Sequence, residues 1–355
     1  MRVCRGVRPL FVDGKNLYCS KGSKLLATTD GGATFDEVAR IQFQGKFSGF
    51  AGIPLAARVL RMHPYRLVPV GDSSFVFQAK PGTYTVGVNS QSQRVFPVTS
   101  GSRPTSLAKA ADGLIVFGDY IPNVDRKSPV RIMGSDDSGV NWKELYTFAP
   151  GVVRHIHGIS YDKWLNCFWI CTGDYPDESV LWKASHDFSS VAAVIKGSAM
   201  TRFYSIAVTE KLLIMSTDSP SVQNYIYVVD KETGTAKRVA EIQNSSFYHA
   251  FCGDRLFIST NCEFPDLHAE VTCHNDVVCS HVWAADPPYE NWREVLNFRS
   301  AFEYGVYRKP FTYGVFQYPR VFFPDGENAT EYCFMYMLGL KPHPDSMLVY
   351  NAADL

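Results

Sequence analysis

The sequence predicts an all-β fold, a β-propeller of about seven four-stranded antiparallel blades. Short runs of β-branched and aromatic residues recur along the chain, and clusters of Gly, Asp, Asn and Pro separate them. Grouped in fours, these runs repeat with a period of about fifty residues, which is typical of a propeller rather than of a two-sheet sandwich. Six or eight blades are the alternatives, because the unit over 56–100 is irregular.

Three consecutive units in the middle of the chain define the repeat most clearly. Their predicted strands are 154–162, 167–172, 180–185 and 191–195; then 203–209, 212–216, 225–229 and 236–242; then 247–252, 256–260, 281–284 and 292–296. Similar units cover 103–149, 56–100 and the stretch up to about 44. Each unit is therefore expected to form one blade.

The last unit predicts how the ring closes. It begins near Phe311, ends with 347–350 and supplies only three strands. The missing strand is expected from the other end of the chain, 2–5, which would join the first and last blades and remove exposed sheet edges. We therefore expect 1–355 to form a single propeller domain, with 261–281 as a loop insertion in the sixth blade.

Composition narrows the class of protein and its partners. Hydrophobic residues make up 46% of the chain and aromatic residues 14%, enough for a large core. Lys and Arg number 35 and so do Asp and Glu, a balance that argues against nucleic acid or an anionic membrane as the main partner. No apolar run approaches the roughly 18 residues of a membrane-spanning helix.

The cysteines and the N-terminus predict a cellular compartment. Nine cysteines are scattered along the chain, and several lie inside apolar strand patterns, where a free thiol acts as a small hydrophobic residue. The first residues are charged and are not followed by the apolar segment of a signal peptide. We expect a reducing, cytoplasmic location, or an exported protein if a signal peptide has been removed.

Two eight-residue segments, 28–35 (TTDGGATF) and 135–142 (SDDSGVNW), fall on predicted third-to-fourth strand hairpins. They resemble the Asp-box, or BNR repeat, of sialidase-like propellers, and 185–188 resembles a decayed third copy. The resemblance implies that Asp30 and Asp137 accept hydrogen bonds from their own turns, while the aromatic residue of each motif packs between blades. These are structural roles, so the motif predicts the fold rather than a catalytic site.

In propellers of this kind, the start of each first strand and the end of each second strand meet at one face of the central channel. The polar residues at predicted first-strand starts are His63, Arg66, Arg154, His155, His157, Arg202, Tyr204, Tyr248, His249 and Tyr313. Those at predicted second-strand ends are Asp119, Tyr120, Asp174, Asp218, Asn261 and Glu263. We expect these side chains to converge, although each Asp could instead cap a turn.

The catalytic candidates are Asp119, Asp174, His155, His157, His249 and Tyr204. Two carboxylates flanking a sugar bond are the requirement for glycoside hydrolysis, and Asp119 with Asp174 is the best pair. For a lyase, one of the histidines with a tyrosine would remove the proton beside a uronate carboxylate. The sequence leaves both mechanisms open.

The substrate-binding candidates are Arg66, Arg154, Arg202, Tyr120, Asp218, Tyr248 and Tyr313. Arginines near the channel suit a carboxylate or sulfate on a sugar, because the guanidinium pairs with such groups through two hydrogen bonds. Sialidases use an arginine cluster in this way, but the first blade lacks their Arg-Ile-Pro-like phrase. The chain is therefore not expected to be a true sialidase.

No cofactor is expected, and a divalent metal held by His155, His157 and His249 is the alternative. The insertion contains Cys262, His268, Cys273, His274, Cys279 and His281. Their spacing matches no standard zinc pattern, so we expect a loop over the channel mouth.

The function predicted is a carbohydrate-active enzyme, glycoside hydrolase or polysaccharide lyase, acting on an acidic glycan at the channel face. The expected partner is thus an oligo- or polysaccharide, without nucleic acid or a membrane span. One alternative is a non-catalytic glycan- or protein-binding propeller that displays exposed aromatic residues such as Trp164, Tyr175 or Tyr289. Another is a protein of cell-surface polysaccharide biosynthesis.

Overall fold

The computed structural model describes residues 1–43, 49, 54–71, 74–80, 82–97, 104–219, 222–262, 278–301 and 317–355. Their strands form seven sheets arranged as a ring of antiparallel blades, numbered I to VII here. The predicted propeller and its count of seven blades are therefore confirmed. Within the described residues the one α-helix is short, Pro54–Val59, and no helix has the length and apolarity needed to cross a membrane.

The first strand of each blade lies at the channel, and the fourth lies at the rim. Blade I consists of Arg8–Gly14, Asn16–Lys21, Lys24–Thr28 and Asp36–Arg40. Blade II consists of Arg66–Val70, Ser74–Ala79, Gly82–Gly87 and Gln93–Pro97. Blade III consists of Ala108–Lys109, Ile115–Gly118, Val130–Ser135 and Lys143–Phe148. Blade IV consists of Ile156–Asp162, Cys167–Thr172, Val180–Ser185 and Val191–Lys196. Blade V consists of Phe203–Val208, Leu212–Thr217, Asn224–Asp230 and Ala236–Ile242. Blade VI consists of Ser246–Cys252, Arg255–Thr260, Cys279–Ala285 and Arg293–Arg299.

Blade VII closes the ring with strands from both ends of the chain. Its strands are Arg320–Phe322, Tyr332–Leu338, Ser346–Asn351 and Arg2–Arg5. The N-terminal strand pairs antiparallel with the C-terminal one, with Arg2 opposite Val349 and Arg5 opposite Ser346. The predicted closure is therefore confirmed. The predicted start of this blade near Phe311 lies outside the described residues.

One strand was not expected from the sequence. Asp325–Asn328, from blade VII, pairs in parallel with Arg8–Gly14, the innermost strand of blade I, and also contacts the innermost strands of blades II and VI. Because the free edge of an innermost strand faces the channel, this segment lies inside it. A salt bridge of 2.5 Å between Arg66 and Asp325 ties it to blade II. We call 325–328 the channel strand.

Apolar side chains from neighbouring blades form the core. In Cys167–Thr172 every residue is buried, because blades III and V cover the two faces of blade IV. Strands covered on both faces read as continuous apolar runs rather than as alternating ones. The eight described cysteines are free thiols, and all of them are buried.

The two hairpins with Asp-box-like sequences have the turn geometry that the resemblance implies. Asp30 accepts hydrogen bonds from the backbone of Ala33 and Thr34 at 2.9–3.0 Å. Asp137 accepts from the backbone and side-chain nitrogens of Asn141, and these bonds lower the pKa of Asp137 to about 2. Trp142 packs against aromatic residues of blades II and III. Both motifs lie at the end of the propeller opposite to the first-strand starts.

The Cys- and His-containing insertion lies between the second and third strands of blade VI. Its residues 263–277 lie outside the described part, and with them His268, Cys273 and His274. Cys262 and Cys279 are buried, and His281 lies 3.1 Å from Glu294 in the same blade. The expected loop over the channel mouth remains a prediction.

Candidate functional site

The first strands of blades IV, V and VI each contain a β-bulge at the same point. In blade IV, Ile156 and Gly158 pair with consecutive residues of the second strand, so His157 is the extra residue. Tyr204 and Phe247 are the extra residues in blades V and VI. A bulge redirects the side chain of its extra residue. The three rings lie side by side, with centroids 5.2 Å and 4.3 Å apart.

This row of rings continues into blade III. Tyr120, after the second strand of that blade, packs against His155 with ring centroids 4.2 Å apart and ring planes tilted by 34°, and the His155 ring centroid lies 5.1 Å from that of His157. Tyr120, His155, His157, Tyr204 and Phe247 together are called the ring row. Burial raises the pKa of Tyr120 and, more strongly, that of Tyr204, so both phenols keep their protons at neutral pH.

Asp174 lies at the centre of the charged groups. Its Oδ2 is 2.6 Å from Arg154 and 3.3 Å from His155 Nε2, and its Oδ1 is 2.5 Å from Arg202 and 3.2 Å from His157 Nε2. These five residues are called the Asp174 cluster. Burial alone would raise the pKa of Asp174, but its contacts with His155 and His157, when their Nε2 atoms carry protons, hold the pKa well below its usual value. Asp174 is therefore a carboxylate at neutral pH.

A buried glutamate that the sequence reading missed holds this cluster in place. Glu178 is 1% exposed, and its carboxylate accepts the backbone N–H groups of Arg154 at 2.5 Å, Asp174 at 2.8 Å and Tyr175 at 3.1 Å. Gly173 has a φ of +98°, and a Cβ built on it would lie 2.2 Å from the Glu178 carbonyl. The loop after the second strand of blade IV is thus built to present Asp174 and Arg154.

Blade V holds Asp218 with an equivalent device. Asn224 is buried, and its side-chain oxygen accepts from Thr217 Oγ1 and the Ser219 backbone, each at 2.8 Å. These two bonds fix the residues on either side of Asp218. Arg202 reaches from Asp174 to Asp218, whose carboxylate lies 3.3 Å away. The acids that end the second strands of blades IV and V therefore share one arginine.

Other predicted site residues have partners elsewhere. The carboxylate of Asp119 accepts from Arg131 on its own blade, and its pairing with Asp174 across a sugar bond stays a prediction. Arg66 donates to the Thr105 carbonyl and pairs with the channel strand. Tyr313 lies outside the described residues.

Two predicted residues of blade VI face the channel. Tyr248 stacks on Phe322 of blade VII with centroids 4.2 Å apart, and Arg66 lies over its ring. His249 bonds to Ser205 Oγ through Nδ1. Burial, aided by the positive charge of Arg66, lowers the pKa of His249 to about 4, so its imidazole is neutral at physiological pH.

The two histidines of the Asp174 cluster are oriented by backbone carbonyls. His155 Nδ1 is 3.2 Å from the Ile121 oxygen, and His157 Nδ1 is 3.0 Å from the Phe203 oxygen. The Nε2 atoms therefore face Asp174, and the three ligand atoms lie within 4.8 Å of one another. His249 does not belong to this group, so the residues that could hold a metal differ from the predicted set by Asp174 in place of His249.

Arginines that the sequence reading did not single out add positive charge at the channel. Arg320 lies over the Phe247 ring at 5.1 Å and forms no ion pair with any described residue. Burial and the charge of Arg320 both lower the pKa of Arg61, which also lies near Tyr120 and Tyr248. Arg61 falls in the irregular segment before blade II, where no strand repeat marked it.

Two of the three aromatic residues expected on the surface are there. Trp164 is 45% exposed in the turn after the first strand of blade IV, and Tyr175 is 37% exposed beside Asp174. The expectation for Tyr289 is wrong. Tyr289 is buried, and its hydroxyl donates to the Asp254 carbonyl within blade VI.

No protein-family model and no curated protein sequence matches the chain. Among solved structures, an ancestral GH74 enzyme has a TM-score of 0.54 at 10% identity over 90% of this chain, which spans 43% of that enzyme. Oligogalacturonate lyase in complex with manganese has a TM-score of 0.53 at 11% identity, covering 91% of this chain and 86% of that one. A chain of the mitotic checkpoint complex has a TM-score of 0.53 at 8% identity, covering 99% and 93%. Similarity at these identities shows the shared propeller fold, which serves carbohydrate-active enzymes and protein assemblies alike.

Proposed function

We propose that the chain cleaves an acidic glycan at the channel face by elimination, as a polysaccharide lyase. The observation that carries this proposal is the state of the acids and bases around the ring row. Its carboxylates are paired with arginines, whereas His249 offers a neutral imidazole. Such a site has a base and proton-holding phenols, while the acids after the second strands of blades III to V are paired with arginines; Asp325 on the channel strand, whose pKa burial raises, is paired with Arg66.

The acids argue against hydrolysis. A glycoside hydrolase of the two-carboxylate kind needs one acid that is protonated before the reaction. Asp174 contacts two arginines and two histidines, Asp119 is paired with Arg131, and Asp218 with Arg202. Of these three acids, Asp174 has a pKa held well below its usual value, so it cannot serve as the protonated acid at neutral pH.

Elimination needs a base and a proton donor. His155 and His157 have both ring nitrogens directed at protein atoms, whereas the described hydrogen bond of His249 uses only Nδ1. We assign His249 as the base, because a neutral imidazole offers a lone pair. Tyr204 keeps its proton and is the candidate donor to the leaving oxygen.

The reaction balances without water. The base takes the proton from the carbon beside the uronate carboxylate, and that electron pair forms a C=C bond. The bond from the neighbouring carbon to the glycosidic oxygen breaks, and this oxygen receives a proton. The products are one chain with a new reducing end and one with an unsaturated uronate.

The charge of the channel supports an acidic substrate. Five arginines lie there, Arg61, Arg66, Arg154, Arg202 and Arg320; three of them, Arg66, Arg154 and Arg202, are paired with Asp325, Asp174 and Asp218. Arg320 is the best candidate for the substrate carboxylate, because its described partners are a backbone carbonyl and aromatic rings. Arginine binds carboxylates through two parallel hydrogen bonds.

The test is turnover of polygalacturonate and alginate, with dextran as the neutral control. Ultraviolet absorbance of unsaturated uronates and new reducing ends are followed together, in wild type, His249→Ala and the control His186→Gln. His186 lies outside the channel, beside Asp112. We expect both signals from a uronate polymer, loss of at least about 100-fold in kcat for His249→Ala, and no change for His186→Gln.

The pH profile checks the assignment of the base. With a pKa of about 4, the imidazole of His249 stays unprotonated down to that pH. As the pH is lowered, kcat/KM should therefore fall with a midpoint near pH 4. A midpoint near the ordinary histidine value, about 6.5, would assign the step to another group. New reducing ends without absorbance would replace elimination with hydrolysis.

A binding propeller without catalysis is the second candidate. The exposed rings of Tyr175 and Trp164 offer flat aromatic faces of the kind that stack on sugars. Retardation of the protein in gels containing an acidic polysaccharide, without any cleavage of it, would favour this reading over the lyase.

A further inference from the structure

We propose that His155, His157 and Asp174 bind a divalent transition-metal ion. The metal site is a refinement of the proposed lyase site, but the binding itself is tested without any glycan. The first step is the tautomer of the two rings. A backbone carbonyl only accepts hydrogen bonds, so each Nδ1, at 3.0–3.2 Å from such an oxygen, carries the hydrogen.

In the neutral rings, the Nε2 lone pairs then point at the lone pairs of Asp174. The distances are 3.3 Å for His155 and 3.2 Å for His157. Within the described part of the chain, His155 Nε2 is buried and has no hydrogen-bond partner of acceptable geometry. A hydrogen bond between His157 Nε2 and Asp174, which lie 3.2 Å apart, needs a proton on that nitrogen; with both rings neutral, three electron-pair donors converge there and form a cation site.

The geometry fits a metal ion. Ligands bonded at about 2.1 Å stand about 3.0–3.4 Å apart in octahedral or tetrahedral sites. Each Nε2 lies 3.2–3.3 Å from its nearer oxygen of Asp174, His155 from Oδ2 and His157 from Oδ1, and one ligand atom from each residue falls within 4.8 Å of the other two. Metal-binding histidines commonly donate their other ring hydrogen to a backbone carbonyl, as both rings do here. Two imidazoles and one carboxylate with open positions suit Mn²⁺, Fe²⁺ or Zn²⁺ better than Ca²⁺ or Mg²⁺.

The arginines beside Asp174 leave room for this charge. A carboxylate has about four lone-pair sites, and Arg154 and Arg202 take one on each oxygen. These two arginines face three acids, Asp174, Asp218 and the buried Glu178, so a divalent ion would turn the net charge of the pocket positive. That excess suits the uronate carboxylate of the proposed substrate, which could occupy an open coordination position.

The alternative is that both rings are imidazolium ions. It would pack four cationic side chains around Asp174, three of them at most about one-sixth exposed, with Asp218 as the second acid. A single divalent ion would replace the Nε2 protons of the two imidazolium rings, and it would bind His155, His157 and Asp174 together. The two alternatives differ in whether the purified protein takes up metal.

The test is Mn²⁺ binding to chelator-treated protein, followed by electron paramagnetic resonance. Mn²⁺ prefers oxygen and nitrogen ligands to thiolates, so the cysteines interfere little. We expect one ion per chain in wild type, with nitrogen couplings from two imidazoles in pulsed spectra. His155→Gln and His157→Gln should each bind at least tenfold more weakly and lose one coupling, on the order of effects seen for metal-site residues. The control His186→Gln should match wild type.

Absence of Mn²⁺ uptake at millimolar concentration, or uptake unchanged in His155→Gln and His157→Gln, would overturn the proposal. Thermal melting of each metal-free variant shows whether it is folded, so a loss of binding through unfolding is recognised. Mn²⁺ uptake by a protein that cleaves no uronate polymer refutes the lyase and leaves the metal site standing. Cleavage of a uronate polymer by a protein that takes up no Mn²⁺ refutes the metal site and leaves the lyase standing.

Discussion

Replacing Glu178 by Gln tests how the Asp174 cluster is held. The carboxylate of Glu178 is buried and accepts three backbone N–H groups, with Oε1 serving Asp174 and Tyr175 and Oε2 serving Arg154. Gln has the same shape, but its amide N–H₂ must replace one oxygen and then faces an N–H group. A hydrogen bond to a charged acceptor contributes about 1.5–3 kcal/mol. We expect Glu178→Gln to lower the local stability of this loop by about 2–3 kcal/mol.

Hydrogen exchange measures this loss directly. A drop of about 2–3 kcal/mol corresponds to roughly 30- to 150-fold faster exchange of the backbone amides of Arg154, Asp174 and Tyr175. Asp177→Asn is the matched control in the same loop. Asp177 is 64% exposed and pairs with Arg126 at 2.6 Å, a surface pair worth about 0–1 kcal/mol. Unchanged exchange in Glu178→Gln, or equal effects of the two changes, would refute the reasoning.

Three further predictions concern stability. Lys231→Met should lower the free energy of unfolding by about 3–5 kcal/mol, as measured by urea unfolding. The reason is that the ammonium of Lys231 lies 2.6 Å from the fully buried carboxylate of Asp162, which the change leaves without its ion partner. Gly173→Ala should lower the melting temperature more than Gly113→Ala, since both have φ near +98° but only Gly173 meets a backbone carbonyl at 2.2 Å; equal shifts would contradict the clash. Asp137→Asn should have a lower melting temperature than wild type at neutral pH. This difference in melting temperature should disappear as the pH approaches 2 and Asp137 of the wild type becomes protonated. A difference that persists at pH 2 would contradict the role of the Asp137 charge.

The sign of the Asp137 effect follows from its lowered pKa. The folded state holds the carboxylate with a pKa of about 2, whereas an unfolded Asp has a pKa of about 3.9. The stabilisation is therefore complete above pH 4 and is lost as the pH falls through 2. Because the hairpin lies at the opposite end from the Asp174 cluster, glycan turnover at neutral pH should not change.

The sequence was sufficient to predict the ring and its closure. Strands can be recognised from the local pattern of β-branched and aromatic residues. A repeat of four such strands can therefore be found without knowing which distant residues are in contact. The same reasoning placed His155, His157, Asp174 and Arg202 on one face, because strand starts and ends meet there by topology. The structure brings these four within contact distance.

The partners of charged side chains could not be predicted in this way. Asp119 ends a second strand just as Asp174 does, yet it pairs with Arg131 across its own blade. The channel strand is too short and polar, DGEN, to be recognised, and its pairing with blade I joins residues far apart in sequence. Glu178 reads as one more acid of a surface turn until its burial is known. Each of these depends on non-local packing that local patterns do not encode.

The most direct test of the proposed elimination is the fate of water oxygen during cleavage. Polygalacturonate or alginate is digested in water enriched in heavy oxygen, and the released oligosaccharides are weighed by mass spectrometry before the reducing end exchanges. The proposed chemistry predicts product pairs whose summed mass equals that of the parent chain, with no heavy oxygen and one unsaturated end. Products heavier by one water, with the label at the new reducing end, would show hydrolysis and contradict the proposed function.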